Sequence, residues 1–204
     1  MDQAMASMWD GKFGSEDYFY GTAPNRFIAD SIPLLKEKQR ILCMGEGEGR
    51  NAVFLASMGF DVTAVDISQV GLAKTKKLAA HEGVTVRTVH ADLGIWEADT
   101  PYNAIIATYL HLASPLREAV FGKAVSWLTP GGLFIGEFFT KKQLGHNSGG
   151  PKDPKLLYSE GEWHHAAASW PVDILTLGET LTHLAEGTGH TGEASVVRVV
   201  LKRH

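Results

Sequence analysis

The chain has 204 residues, with a hydrophobic fraction of 44%, a charged fraction of 21% and a formal net charge of -4. These values are those of a globular domain with a real core. The negative net charge and the lack of a stripe of Lys and Arg argue against a nucleic-acid partner. The densest basic cluster, formed by Lys74, Lys76 and Lys77, fits a solvated helix face. The single cysteine, Cys43, excludes an internal disulfide and suits a reducing compartment.

The N-terminal residues lack the basic stretch and apolar run of a signal peptide, and no segment approaches the ~18 apolar residues of a membrane span. We therefore expect a cytoplasmic protein without a membrane partner, with residues 1–204 forming one domain. Residues 1–25 are aromatic-rich, which indicates either a segment packed on the core or a lid over a ligand. Residues 141–170 are predicted to be a loop-rich insertion near the active site, with at most a short helix.

Three glycines at alternate positions, Gly45, Gly47 and Gly49, follow an apolar run at residues 41–44 and precede a helical pattern. This order predicts a buried strand, a tight turn and a helix. Glycines allow the backbone to approach a ligand, and the free N–H groups of the helix favour polar or anionic ligand atoms. The G-x-G-x-G spacing is typical of S-adenosylmethionine (SAM) binders. In the G-x-G-x-x-G pattern of dinucleotide binders, Arg50 would occupy the third glycine position.

Strands and helices are predicted to alternate after a short helical segment at residues 26–35. The strands are predicted at 41–44, 61–66, 84–89, 102–108 and 133–139, and the helices at 50–59, 68–81 and 114–128. This alternation predicts right-handed βαβ units in a doubly wound, Rossmann-like, mostly parallel α/β sheet. Two further strands at 173–184 and 195–201, joined by a wide loop over 185–193, predict a C-terminal antiparallel hairpin and seven strands in total.

In such a sheet, ligands bind beyond the carboxyl ends of the strands. Asp66 ends the second predicted strand, where a carboxylate accepts hydrogen bonds from a ribose diol, although it could instead be a strand-end cap. Asp92 has the equivalent place after the third strand and suits the exocyclic amine of adenine. Ile67 and Leu93 are candidates for apolar walls beside the adenine ring, with ordinary core packing as the alternative.

With Pro130-Gly131-Gly132 before the fifth strand and a terminal hairpin, this arrangement resembles the class I SAM-dependent methyltransferases over nearly the whole chain. The resemblance implies SAM as the cofactor and S-adenosylhomocysteine as its product. It implies that Gly45 and Gly47 lie against the methionine part, that Asp66 holds the ribose, and that Asp92 with Leu93 contacts the adenine. The other cofactor-binding candidates in this region are Glu46, Asn51, Ser68 and Thr108.

Several segments are also similar to the small bacterial tellurite-resistance (TehB-like) and thiol methyltransferase group. They are Met8-Trp9-Asp10, residues 20–25, residues 45–51, His111-Leu112, and Glu186-Gly187 with His190 and Gly192. This resemblance implies that the N-terminal aromatics cover the SAM site, through Trp9, Tyr18 and Tyr20. It also implies that the acceptor is a small, soft nucleophile such as a chalcogen oxyanion or a thiol.

The chain departs from the class I pattern at two positions. Cys43 stands where many of these enzymes carry an acidic residue near the methionine ammonium, so Glu46 or a backbone carbonyl would have to hold that group. Asn103 stands where many have an aspartate at the start of the fourth strand. Cys43, in an apolar strand, is interpreted as a small buried hydrophobic residue.

Methyl transfer from a sulfonium mainly requires the protein to position and desolvate the acceptor, and a base is needed only if the acceptor must lose a proton. His111, after the fourth strand, is the first candidate for a base or orienting group, and His190, in the hairpin loop, is the second. Structural imidazoles are the alternative for both. No His or Cys spacing matches a metal site, so no metal is predicted.

Three hypotheses remain open. The first is a SAM-dependent methyltransferase acting on a small-molecule acceptor, as a monomer or homodimer. The second is an NAD-dependent oxidoreductase that uses the same glycine turn; Arg50, Asp92 and the terminal hairpin count against it. The third is a SAM-binding protein without catalysis, for which Cys43 and Asn103 leave room.

Overall fold

Seven strands form a single sheet in the computed structural model, which describes residues 2–204. In chain order they are β1 (Arg40–Met44), β2 (Asp61–Asp66), β3 (Arg87–His90), β4 (Tyr102–Thr108), β5 (Leu128–Phe139), β6 (Val172–Glu186) and β7 (His190–Arg203). Across the sheet the order is β3-β2-β1-β4-β5-β7-β6. The first five strands are mutually parallel, and β7 pairs antiparallel with both β5 and β6. The predicted doubly wound sheet with a C-terminal hairpin is therefore confirmed.

Residues 2–204 contain six α-helices. They are α1 (Gln3–Lys12), α2 (Arg26–Asp30), α3 (Arg50–Ser57), α4 (Gln69–His81), α5 (Leu116–Trp127) and α6 (Glu160–Ala167), and short 3-10 helices lie at Ile32–Leu34, Lys141–Gly145 and Pro154–Leu156. Of the α-helices, α2 to α6 contribute to the two core layers of the sheet and α1 contacts α4. Among residues 2–204, no helix is both long enough and apolar enough to cross a bilayer.

The central strands are buried on both faces, which explains their continuous apolar sequence. Successive residues of β1 alternate between two core layers, because successive side chains of a strand point to opposite faces. Leu42 and Met44 pack in the layer that includes residues of α5 and α6, whereas Ile41 and Cys43 pack in the layer that includes residues of α2, α3 and α4. Burial raises the pKa of the Cys43 thiol well above its usual value, which agrees with its interpretation as a hydrophobic core residue.

The C-terminal hairpin is longer and tighter than its sequence pattern predicts. The prediction of a wide loop over residues 185–193 was wrong. The antiparallel pairing of β6 with β7 continues to Glu186 and His190 and leaves only residues 187–189 in the turn. Gly187, in the turn, has a φ of +58°, which glycine adopts without strain. His190 is consequently the first residue of β7 and not a loop residue.

The N-terminal segment, defined here as residues 2–25, is tethered to the rest of the domain. Its helix α1 was not predicted. The Oδ1 atom of Asp10 accepts hydrogen bonds from the Ser68 hydroxyl (2.6 Å) and the Val70 amide (3.1 Å) at the start of α4. Lys74 was predicted to be solvated, but its ammonium forms an ion pair with Glu48 and donates to the carbonyls of Phe13, Ser15 and Asp17.

The N-terminal segment also packs directly on the turn of the hairpin. The carbonyl of Phe19 accepts hydrogen bonds from the amides of Thr188 and Gly189, each at 3.0 Å. A Cβ atom added to Gly187 would lie 2.4 Å from both the amide nitrogen of Gly21 and the Phe19 carbonyl oxygen. The two backbones thus meet so closely that a side chain at position 187 has no space.

We predict that Gly187→Ala destabilises the protein by on the order of 1–3 kcal/mol, because the new methyl group meets backbone and the residue keeps a positive φ. Urea unfolding followed by circular dichroism measures this change. Gly178→Ala is the matched control on β6, where a Cβ atom would have no neighbour within 4 Å. Equal stability of the two variants would contradict the close backbone contact.

Candidate active site

A cavity opens at the carboxyl ends of β1, β2 and β4, beneath the N-terminal segment. Ten of the residues predicted to bind the cofactor line it, and so do the two candidate catalytic histidines, His111 and His190. The ten are Trp9, Tyr20, Gly45, Glu46, Gly47, Asp66, Ile67, Asp92, Leu93 and Thr108. The topology thus brings together side chains that are far apart in the sequence.

Three predicted cofactor residues lie behind the wall of this cavity. The Tyr18 hydroxyl donates to the carbonyl of Lys74 on α4, at 3.1 Å. Asn51, in the first turn of α3, donates from Nδ2 to the Thr108 hydroxyl at 3.0 Å. Ser68 is the N-cap of α4, and its side chain accepts from a backbone amide of the first turn. Each of the three therefore supports a neighbouring element and does not face the cavity.

Other lining residues were not identified from the sequence. The sequence marks Arg50 only as the residue at a dinucleotide glycine position, whereas the structure buries its side chain in the wall. Asp2 and Met5 were missed because α1 has no buried residue and thus no apolar periodicity to reveal it. The remaining lining residues are Phe13, Ala91, Gly94, Tyr109, Leu110, Leu112 and Leu116.

The glycine turn is held in place by Asp66. The carboxylate of Asp66 accepts the Gly47 amide at 2.7 Å through Oδ2 and the Ser68 amide at 2.7 Å through Oδ1. Burial raises the pKa of Asp66, while these two hydrogen bonds act in the opposite direction. At Gly45 the backbone has a φ of +61°, and a Cβ atom there would lie 2.7 Å from the Leu110 side chain. Asp66 thus connects the glycine turn to α4. At position 45, the positive φ and the lack of space for a Cβ atom both favour glycine.

Glu46 lies at the floor of the cavity against the start of α3. Its Oε1 atom accepts hydrogen bonds from the amides of Asn51 (2.9 Å) and Ala52 (2.7 Å). Burial raises the pKa of this carboxyl to about 7, against the lowering effect of those hydrogen bonds. Near neutral pH the group therefore exchanges a proton easily, and a cation in the cavity would favour its ionised form.

Asp92, which also lines the cavity, contacts the N-terminal segment. Its Oδ1 atom accepts the Gly94 amide at 2.9 Å, and its Oδ2 atom accepts the Asp2 amide at 3.0 Å. Asp2 is also the N-cap of α1, so the start of that helix lies on the carboxylate. The predicted adenine-binding residue thus also contacts the segment that covers the cavity.

A buried ion pair lies where α3 meets the hairpin. Arg50 Nη2 is 2.9 Å from Glu186 Oε2, and His190 Nδ1 is 2.9 Å from the same oxygen. The Oε1 atom of Glu186 accepts from Asn25 Nδ2 at 3.1 Å. Burial opposes ionisation of Glu186, but the hydrogen bond from His190 and the charge of Arg50 outweigh it and lower the pKa of Glu186 to about 2.

The two candidate catalytic histidines differ in their surroundings. Burial, with smaller effects from His190, Lys12 and Arg117, lowers the pKa of His111 to about 3. The Nδ1 atom of His111 is buried and has no hydrogen-bond partner among residues 2–204. Burial also lowers the pKa of His190, but the Glu186 carboxylate opposes that effect. Both rings are therefore neutral at neutral pH, and only His190 has a carboxylate partner among the described residues.

The insertion at residues 141–170 reaches the site from behind His190 and does not contribute to the cavity lining described above. A Cβ atom on Gly149 would lie 2.6 Å from Cδ2 of the His190 ring, so this loop packs directly on the imidazole. The N-terminal segment also packs on this ring, through Tyr20, whose ring centroid is 4.3 Å away.

Comparison with known proteins identifies relatives of this domain. A family model described as a methyltransferase domain matches residues 41–132. A protein named Hemagglutinin 1, from Eikenella corrodens, is 34% identical over 168 residues, which cover 80% of this chain and 54% of that protein. "Probable S-adenosyl-L-methionine-dependent methyltransferase TehB" of Haemophilus influenzae is 27% identical over 101 residues, which cover 48% of this chain and 35% of that protein. The chain thus spans about half or less of the length of these curated relatives.

Solved structures share the fold. The crystal structure of TehB from Haemophilus influenzae matches with a TM-score of 0.74 and 16% identity, covering 98% of this chain and 67% of that one. A structure described for the conversion of a disulfide bond into a thioacetal group during echinomycin biosynthesis matches with a TM-score of 0.79 and 17% identity, covering 100% of this chain and 91% of that one. Identities this low show the fold alone. Residues 41–132 thus match a methyltransferase domain, and the chain resembles the SAM-dependent methyltransferases, TehB among them.

Proposed function

We propose that this domain transfers a methyl group from SAM to a small-molecule acceptor. The observation that carries the proposal is a single cavity lined both by the glycine turn with Asp66 and by His111 and His190. Cytoplasmic localisation, a monomeric or homodimeric state, and the absence of nucleic-acid and membrane partners remain predictions from the sequence.

The residues of the cavity fit the parts of SAM. Glu46 would hold the methionine ammonium, since it lies beside the glycine turn and ionises readily near neutral pH. Asp66 would accept the ribose hydroxyls, because each of its oxygens has a further lone pair beyond the amide that it already accepts. Asp92 and Leu93, with Ile67, would surround the adenine. When bound, SAM supplies a methyl group on a positively charged sulfur.

The N-terminal segment would act as the lid of this site. Trp9 and Tyr20 line the cavity, and the carbonyl of Phe19 accepts amides of the hairpin turn. Closure by these two segments would exclude water from the reacting atoms and limit the acceptor to a small molecule. Tyr18 would contribute indirectly, by fixing the segment to α4.

The acceptor is proposed to be a soft nucleophile such as a chalcogen oxyanion or a thiol, a choice supported by the resemblance to the TehB group. An oxyanion or thiolate needs no base, and the protein would then act by positioning and desolvation. A thiol has to lose its proton. His111 is a weak base because its pKa is about 3, so its role would be to orient the acceptor by a hydrogen bond.

The proposed function is tested by incubating the protein with methyl-labelled SAM and separate acceptors: selenite, tellurite, small thiols and small phenols. Transfer of label to one of them supports the proposal. Binding of S-adenosylhomocysteine with no transfer to any acceptor would instead favour a SAM-binding protein without catalysis. Binding of NAD(H) without S-adenosylhomocysteine would favour an oxidoreductase.

We predict that Asp66→Ala weakens S-adenosylhomocysteine binding by about tenfold or more, because hydrogen bonds to the ribose and the anchor of the glycine turn are lost together. Isothermal calorimetry measures the dissociation constant. The control is Asp61→Ala, at the exposed opposite end of the same strand. An unchanged constant in Asp66→Ala would remove this residue from the cofactor site.

We predict that S-adenosylhomocysteine binds less tightly as the pH falls through about 7, because Glu46 then becomes protonated and loses its attraction for the ammonium group. Calorimetry at several pH values measures this several-fold loss. Glu46→Gln should bind more weakly than the wild type at high pH and show a flatter dependence. A wild-type affinity that does not change across neutral pH would exclude Glu46 from this role.

We predict that His111→Ala lowers turnover by on the order of tenfold while the affinity for S-adenosylhomocysteine changes little, because the ring would orient the acceptor and not the cofactor. Steady-state kinetics and calorimetry separate the two effects. His183→Ala, at an exposed position of β6, is the control. Normal turnover in His111→Ala would return His111 to a structural role.

A further inference from the structure

We propose that Glu186 is a positioning residue, which holds the ring of His190 so that its Nε2 atom keeps a free lone pair and accepts the proton of a protonated acceptor such as a thiol. This inference rests on the proposed methyl transfer and names the group that would act as its base.

The register of the hairpin places the two side chains together. Glu186 ends β6, His190 begins β7, and the two residues are directly opposite each other in the antiparallel ladder. Side chains of such a pair lie on the same face of the sheet. The Oε2 atom of Glu186 is accordingly 2.9 Å from Nδ1 of His190.

The charge of Glu186 determines which nitrogen of the ring carries the proton. An ionised carboxylate accepts hydrogen bonds and has no proton to donate, so Nδ1 of His190 must be the donor. The neutral ring then has its lone pair on Nε2. Arg50, 2.9 Å from Oε2, and Asn25, whose Nδ2 donates to Oε1 at 3.1 Å, both favour the ionised carboxylate.

The ring is enclosed on several sides, so the hydrogen bond to Glu186 is kept. Its centroid lies 4.3 Å from that of Tyr20, 4.5 Å from that of Tyr109 and 5.0 Å from that of Phe139. Gly149 lies so close to Cδ2 that a Cβ atom there would be 2.6 Å away. Because His190 also lines the cavity, its fixed ring lies beside the space that a ligand would occupy.

Titratable and charged groups from several of the elements around His190 face it. They are Glu186 on β6, Arg50 on α3, Lys12 on α1, Tyr20 in the N-terminal segment, and Tyr109 and His111 after β4. Burial is the strongest influence and lowers the pKa of His190, as do the two cations, whereas the hydrogen bond and charge of Glu186 raise it. His111 has no such carboxylate among residues 2–204 and is the weaker base.

The proton transfer balances with the methyl transfer. The nucleophilic atom of the acceptor forms its bond to the methyl carbon as the carbon–sulfur bond breaks, and the electron pair of that bond remains on sulfur, which becomes neutral. The proton of the acceptor passes to Nε2 of His190. The positive charge lost from sulfur therefore appears on the imidazolium, next to the Glu186 carboxylate, and the proton later leaves to solvent.

The first test is independent of turnover. Nitrogen-labelled histidine, followed by NMR through a pH titration, reports the tautomer and the pKa of His190. We expect the tautomer with the proton on Nδ1 in the wild type. In Glu186→Gln we expect a lower pKa, because the carboxylate charge that opposes burial is removed, and a mixture of tautomers. The tautomer with the proton on Nε2 in the wild type would overturn the proposal.

The second test is kinetic and uses a thiol acceptor. Glu186→Gln is expected to lower turnover by at least about tenfold and to move the acid limb of the kcat/KM profile to lower pH. Glu179→Gln, also on β6 and paired with the surface residue Lys142, is the control and should leave the profile unchanged. A Glu186 that is merely structural would reduce the amount of folded protein and leave the acid limb in place.

A double-mutant cycle completes the kinetic test. In a His190→Gln background, adding Glu186→Gln should cause no further loss of turnover, because the residue acts through His190. Losses that multiply would overturn the proposal, and so would normal turnover of Glu186→Gln in a protein whose wild type transfers methyl groups. If the wild type binds S-adenosylhomocysteine and shows the expected tautomer but transfers no methyl group, the proposed function fails while the positioning of His190 by Glu186 stands.

Discussion

The buried ion pair between Arg50 and Glu186 is the interaction on which the architecture of the site depends. Arg50 begins the helix after the glycine turn, and Glu186 ends the penultimate strand, so the pair joins the parallel part of the sheet to the hairpin. Both side chains are less than 10% exposed, and a buried charge that loses its partner is strongly destabilising. The ion pair thus holds the turn of the hairpin against the start of α3.

A second buried carboxylate extends this connection into the sheet. Glu137 accepts hydrogen bonds from Arg198 (2.7 Å), the Tyr109 hydroxyl (2.6 Å) and Asn25 Nδ2 (2.7 Å). Because the same Asn25 amide also donates to Glu186, one side chain bridges two carboxylates. Asn25 ends the N-terminal segment, so the covering segment is attached to the polar network of the site as well as to α4.

Much of the fold could be predicted from the local sequence pattern, but most of the buried polar network of the site could not. The strands around Leu42 and Ile105 are apolar because they are buried on both faces, and Asp66 was identifiable because a strand end fixes where its side chain lies. The helix α1 gave no periodic signal, since none of its residues is buried. The role of Arg50 depends on Glu186, a residue distant in the sequence, and no local pattern contains that relation.

The three-residue turn of the hairpin has a consequence for how this protein can vary. Since successive strand residues face opposite sides, a shift of one residue in the pairing of β6 with β7 would move either the carboxylate or the imidazole to the other face of the sheet. Insertions and deletions between positions 186 and 190 are therefore far more disruptive than substitutions at Thr188, whose side chain is exposed. Length is the property that this turn has to conserve.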